Sequence, residues 1–137
     1  MEMIEGQDQI IAQWASTLLD KPIVQPFAAI GIGRNGAIRA AAVFNDYQGH
    51  GGNIEFTYVG RGTLTRSVMR WLIGYAFDAN KASRVTMKTR RDNHVVRKLM
   101  TKHGFAFEAT LKRYYDTSKN GDALVFVMDR KSAERWR

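Results

Sequence analysis

Apolar residues recur along the chain with two periods, and the changes from one period to the other set the order of elements. Ile10, Ile11, Trp14, Ala15, Leu18 and Leu19 fall at helical spacing, and Lys21-Pro22 is expected to end that helix. "FAAIGIG" (27–33) and "AIRAAAVFN" (37–45) are apolar runs on either side of Arg34-Asn35-Gly36, and Asn-Gly in that place predicts a hairpin. The loop "QGHGGN" leads into a strand, "IEFTYV" (54–59). Beyond it, Leu64, Val68, Trp71, Leu72 and Tyr75 share one helical face, which Met69, Ile73 and Phe77 widen. "SRVTMKT" (83–89) reads as a strand rich in β-branched residues. A short helix follows, with Val95, Val96, Leu99 and Met100 on one side and Arg97, Lys98 and Lys102 on the other. Asp92 or Asn93 would cap its start, and Gly104 its end. "FAFEATLKRYY" (105–115) and "DALVFVM" (122–128) predict a last hairpin joined through 117–121, and "SAERWR" a closing helical turn.

Helix, hairpin, strand, helix, strand, helix, hairpin is the order of an α/β (α+β) protein, with a mixed central sheet and helices on both faces. At 137 residues and 45% hydrophobic content, residues 1–137 are read as a single domain. Cysteine is absent, which removes disulfides and thiolate chemistry together. The first residues hold no apolar signal region and no run of 18 apolar residues occurs, so a cytoplasmic protein without a membrane span is expected.

Charge changes the picture more than composition does. Residues 1–60 carry 3 basic and 6 acidic side chains, and residues 61–137 carry 18 and 7, a split of −3 and +11 within a net charge of +8. A half of that sign attracts phosphate-bearing partners: a nucleotide cofactor, a nucleic acid or an acidic protein. The same half opens on Gly60-Arg61-Gly62-Thr63, a turn between the strand and the helix that begins at Leu64, Thr65 and Arg66. Such a turn aims backbone amides and the positive end of a helix at one point, which suits a phosphate; Thr63 or Thr65 would cap the helix.

Other chemistries find less support. The turn has no Walker-type Gly-Lys-Ser/Thr, and no G-x-S-x-G elbow occurs. His50, His94 and His103 lack metal-ligand spacing, no metal is expected, and His94 and His103 read as helix-surface residues. Tyr114, Tyr115 and Phe126 lie on expected strands and read as core.

"N-x-x-V-x-x-L-M-x-K-x-G-F", from Asn93 to Phe105, resembles the late helix-to-strand motif of the Gcn5-related N-acetyltransferase (GNAT) superfamily, N-x-x-A-x-x-L-Y-x-K-x-G-F. The element order is similar over about residues 27–128, and the brevity is similar to that of short phage and prophage GNAT-like proteins. The resemblance implies that "IEFTYV" and "SRVTMKT" splay apart and that acetyl-CoA lies between them as cosubstrate, its pyrophosphate on Gly60 to Arg66. It implies cofactor contacts from Thr57, Tyr58, Val59, Arg61, Gly62, Thr63, Leu64, Thr65 and Arg66, with Asn93 near the pantetheine arm and Arg97 or Lys98 near the nucleotide. Glu55 becomes the expected general base, with Ile54 and Phe56 as apolar neighbours, and amides near Tyr58 and Val59 polarise the thioester carbonyl. Two departures stand out: the turn is short and bears threonine where the family has glycine, and Met100 replaces the tyrosine that protonates the departing thiolate.

The implied activity is acetyl-CoA-dependent N-acetylation of an unidentified amine, small molecule or protein, by direct attack in a ternary complex. Two alternatives stay open: a GNAT-fold binding module with weakened catalysis, and an acetyltransferase directed at RNA or aminoacyl-tRNA. Trp136 would anchor a homodimer or cover the sheet.

Overall fold

The computed structural model describes residues 2–19, 23, 27–60 and 64–137. Among the described residues seven strands, β1 (Glu2–Ile4), β2 (Phe27–Arg34), β3 (Ala37–Asn45), β4 (Asn53–Gly60), β5 (Arg84–Arg90), β6 (Ala106–Leu111) and β7 (Ala123–Asp129), form one sheet in the order β1-β2-β3-β4-β5-β7-β6. Every neighbouring pair is antiparallel except β4 and β5. The helices are α1 (Asp8–Leu19), α2 (Arg66–Ile73), α3 (His94–Lys102) and α4 (Arg130–Ala133). α2 runs on as a π-helical turn over Gly74–Ala79, and α4 closes in a 3-10 turn over Glu134–Trp136.

The mixed sheet and the two-sided arrangement of helices follow the expectation. β3 shows why its apolar run is unbroken: Ala40, Ala42 and Phe44 face one core, while Ala41 and Val43 face another. A strand covered on both sides has no solvent face to keep polar. α1 lays Ile11 and Ala15 against Ala29, Ala41, Val43 and Val59, and these small side chains let the helix approach the sheet closely. On the opposite face Phe44 meets Tyr75 at 5.0 Å and Trp71 at 5.7 Å between ring centroids, which seats α2 over β3 and β4.

Three local expectations are corrected. Glu2–Ile4 forms an edge strand on β2 where the sequence showed only an acidic start. β6 stops at Leu111, so Tyr114 and Tyr115 leave the sheet, and Tyr114 is half exposed rather than core. His103 is buried rather than on the helix surface. The expected stop at Lys21-Pro22 lies outside the described residues. Among the described residues no helix is long and apolar enough to cross a membrane.

Candidate active site

β4 and β5 lie side by side but keep register for only three residue pairs, Asn53 with Arg84, Ile54 with Val85 and Glu55 with Thr86. Beyond them β3 still pairs with β4 as far as Gly60, and β7 with β5 as far as Arg90. Each strand is therefore held on its outer side only, and the two inner edges, 56–60 and 87–90, face one another across a gap. Along this edge the register with β5 does not continue past Glu55, so Thr57 and Val59 lie where a ligand could add itself between the strands.

At the end of β4 the chain turns through Gly60 at φ +116°, where a Cβ would lie 2.4 Å from the Arg39 carbonyl oxygen. Only glycine fits so close a backbone approach. Arg61, Gly62 and Thr63 lie outside the described residues. The chain resumes at Leu64, which is buried, and Thr65 caps α2 by accepting a hydrogen bond from the Val68 amide at 3.3 Å. The amides of Arg66 and Ser67, at the first two helical positions, have no acceptor within the helix by construction. They and the helix dipole favour an anion at this end.

Glu55 projects from the opposite face of β4 to Ile54, Phe56 and Tyr58, all three of which join the α2-side core. The expected apolar surroundings are thus not its own: strand alternation sends Ile54 and Phe56 to the other side. Its neighbours come from β5. Lys88 Nζ donates to Glu55 Oε2 at 2.8 Å and Thr86 Oγ1 donates to the same oxygen at 3.3 Å. Asn53 Nδ2 donates to Thr86 Oγ1 at 2.8 Å, and Arg84 Nε donates to Asn53 Oδ1 at 3.1 Å. Arg84 also pairs with Glu108 on β6.

The connection from β6 to β7 stands over the same face. Lys88 Nζ lies 5.5 Å from the Tyr114 ring centroid, and the Arg90 guanidinium 4.9 Å from that of Tyr115. Burial lowers the Lys88 pKa, but the hydrogen bond and charge of Glu55 outweigh it and leave it above the ordinary lysine value. Burial, with the negative charge of Tyr114 and Glu55 adding to it, pushes the Tyr115 phenol up to about 12. Desolvation also raises the Tyr58 phenol.

α3 begins where β5 ends. Asn93 caps it, its side-chain oxygen accepting from the Val96 amide at 3.3 Å, and Gly104 at φ +101° ends it. Arg97 Nη1 donates to the Arg91 carbonyl at 2.9 Å. Arg97, Lys98 and Lys102 line, with exposed Phe107, a groove of about 640 Å³ on the outer flank of α3. Met100 is fully buried in the α2-side core, so the position held by an acid in the resembling family here holds an apolar plug without a proton to give.

Thr57, Tyr58 and Val59 thus lie on the half of β4 that has diverged from β5, Glu55 at the last paired position, Leu64, Thr65 and Arg66 at the entry to α2 with Leu64 in the core, and Asn93 and Arg97 at the start of α3. Sequence reasoning missed Lys88, Thr86 and His103. Thr86 and Lys88 carried a signal, since the alternation of "RVTMKT" puts them on one face, but the carboxylate that Lys88 engages lies 33 positions away. His103 had no local signal; its ring nitrogens lie 2.7 Å from the Leu99 carbonyl and 3.0 Å from that of Leu64.

No family model and no curated protein matches the sequence. Solved structures do match the fold. A Vibrio cholerae spermidine N-acetyltransferase SpeG chimera with hSSAT aligns over 98% of this chain and 99% of its own with a TM-score of 0.75 at 10% identity. Mycobacterium smegmatis RimJ, in complex with CoA-disulfide, aligns over 97% and 86% with a TM-score of 0.71 at 14% identity. Campylobacter jejuni N-acetyltransferase PseH, in complex with acetyl coenzyme A, aligns over 86% and 76% with a TM-score of 0.56 at 16% identity. The chain has the fold of these acetyltransferases.

Proposed function

We propose that the protein is a GNAT-type, acetyl-CoA-dependent N-acetyltransferase acting on an amine. The observation that carries this reading is the divergence of β4 from β5 after three paired residues, with the N-terminus of α2 at the end of the unpaired half. The residues there fit an acyl-CoA. Backbone groups of Thr57, Tyr58 and Val59 suit the amide-bearing pantetheine arm, and the α2 N-terminus reached through Leu64, Thr65 and Arg66 suits the diphosphate, with Arg61, Gly62 and Thr63 as the sequence-expected remainder of that site. Asn93 and Arg97 would border the far side. The fold likeness to proteins solved with CoA-disulfide and acetyl coenzyme A supports the same ligand.

Acetyl-CoA would supply an activated acyl group. This chain's part is to hold that group beside an amine, which is where most of the acceleration of a two-substrate reaction arises. Glu55 would take the amine's proton, directly or through one water. Backbone N–H groups near Tyr58 and Val59 polarise the acyl oxygen. Buried Met100 supplies no acid, but a thiol of pKa ~8.5 leaves as thiolate near neutral pH without one.

Acetyl-CoA at about a hundred times its Kd should stabilise the protein by ~2.7 kcal/mol, a rise of several degrees in melting temperature. No rise at millimolar acetyl-CoA would remove this reading. A second reading, a binding module of the same fold, draws on the buried Met100 and on the ion pair that occupies Glu55. Stabilisation by acetyl-CoA with no acetyl transfer to any amine, external or internal, would favour it.

A further inference from the structure

The carboxylate expected to act as base already holds an amine. Lys88 Nζ sits 2.8 Å from Glu55 Oε2, with the side chains of Lys88 and Glu55 exposed by 24% and 14%. Among the described residues Lys88 is the lysine that forms an ion pair. Lys88 belongs to the diverging half of β5, two residues beyond Thr86, the last that pairs with β4. The Tyr114 ring, 5.5 Å from Nζ, closes over it as an aromatic wall closes over a bound ammonium. A primary amine, a base in hydrogen-bond contact with it and an aromatic wall are the parts an acceptor site needs, and this chain supplies all three itself.

We propose that Lys88 is the protein's own acetyl acceptor. This inference rests on the transferase reading above. Lys88 Nζ passes a proton to Glu55 and forms a bond to the acyl carbon of acetyl-CoA. The carbon–sulfur bond breaks, and coenzyme A leaves as a thiolate that takes up one proton. The products are Nε-acetyl-Lys88 and free thiol, and no oxidant or reductant is needed. Because Lys88 belongs to the same chain as Glu55, the step needs bound acetyl-CoA but no encounter with a separate amine. The resulting amide carries no charge, so Glu55 is released from its ion pair.

The test incubates the full chain with acetyl-CoA and follows each lysine by peptide mapping and mass spectrometry, alongside the melting temperature. Acetylation of Lys88 should run about tenfold or more ahead of exposed Lys98 and Lys119. Its rate constant should be unchanged when the protein is diluted tenfold, since the step is intramolecular. In Glu55→Gln it should fall by about tenfold or more, within the usual range for a positioned base, while Lys98 and Lys119 react as before. Lys88→Arg keeps a cation for Glu55 and should abolish the fast acetylation without relocating it.

A melting temperature raised by acetyl-CoA, with Lys88 reacting no faster than Lys98 and Lys119, would overturn the proposal and leave the transferase reading standing. A Lys88 rate proportional to protein concentration would do the same. An unmoved melting temperature removes the transferase reading and this inference with it. The dilution experiment uses unaltered protein and holds even if Glu55→Gln fails to fold.

Discussion

His103 Nε2 meets the Leu64 carbonyl at 3.0 Å, joining the end of α3 to the segment that leads into α2. The ring stacks on Trp136 at 5.5 Å between centroids, and Trp136 Nε1 donates to the His103 carbonyl at 2.9 Å. The closing turn of the chain thus braces the histidine that holds the segment leading into α2. Trp136 covers the end of α3 in this way.

The first prediction follows from that brace. His103→Ala leaves the buried Leu64 carbonyl without its donor, which costs ~1–3 kcal/mol. It also frees the segment ahead of Thr65, so acetyl-CoA affinity should fall beyond what stability alone explains. Thermal melts with and without acetyl-CoA separate the two effects. An unchanged melt and an unchanged ligand shift would show that the contact holds nothing in place.

Thr65→Ala should act differently. Losing the cap costs ~1 kcal/mol of stability. The amides of Arg66 and Ser67 are untouched, and that of Val68 is released, so the α2 terminus keeps its donors for a diphosphate. The expected result is a lower melting temperature with the acetyl-CoA shift retained. A lost shift at unchanged stability would assign the Thr65 hydroxyl, rather than the helix amides, to the ligand.

These two residues mark how far the sequence could be read. Thr65, Asn93 and Gly104 act within a few positions of themselves, so their roles as caps and helix end were legible. Asn35 and Gly36, at φ 55° and 77°, form the hairpin turn because both residue types tolerate positive φ, and β2 and β3 fall where the apolar runs fall. The parallel neighbours β4 and β5 were expected to splay, and they do. What stayed hidden depends on contacts between distant segments. The face on which Glu55 lies follows from alternation, but its partner follows from a β4–β5 register that no local pattern encodes. The end of β6 at Leu111 likewise decides whether Tyr114 and Tyr115 are core or wall.

The β6–β7 connection that carries those tyrosines should be sensitive to acid. Asp116 accepts from the Ser118 hydroxyl, the Arg90 guanidinium at 2.8 Å and the Ser118 amide at 2.9 Å, which together hold its pKa at about 2 against an ordinary 3.8. A carboxylate depressed in the folded state contributes stability above its unfolded pKa, and that contribution is lost as pH falls through the folded value. The window is therefore roughly pH 4 down to 2. Asp116→Asn should lower the melting temperature at neutral pH and flatten its fall across that window. A parallel fall in both proteins would show that Asp116 does not hold the connection.

Met100→Tyr restores the residue that the resembling family places there, and the packing argues against a gain. Met100 has no exposed surface and shares its core with Phe56, Met87 and Phe105. A tyrosine there adds volume to a filled site and buries a hydroxyl, and overpacking of this kind costs ~1–3 kcal/mol. Met100→Leu keeps the volume and should cost less than about 1.5 kcal/mol. The tyrosine variant is expected to melt lower and to acetylate no faster, whether the amine is external or Lys88. If it instead keeps the melting temperature and raises the rate by about tenfold or more, as a positioned acid would, that face of α3 opens onto the gap and methionine is what slows the reaction.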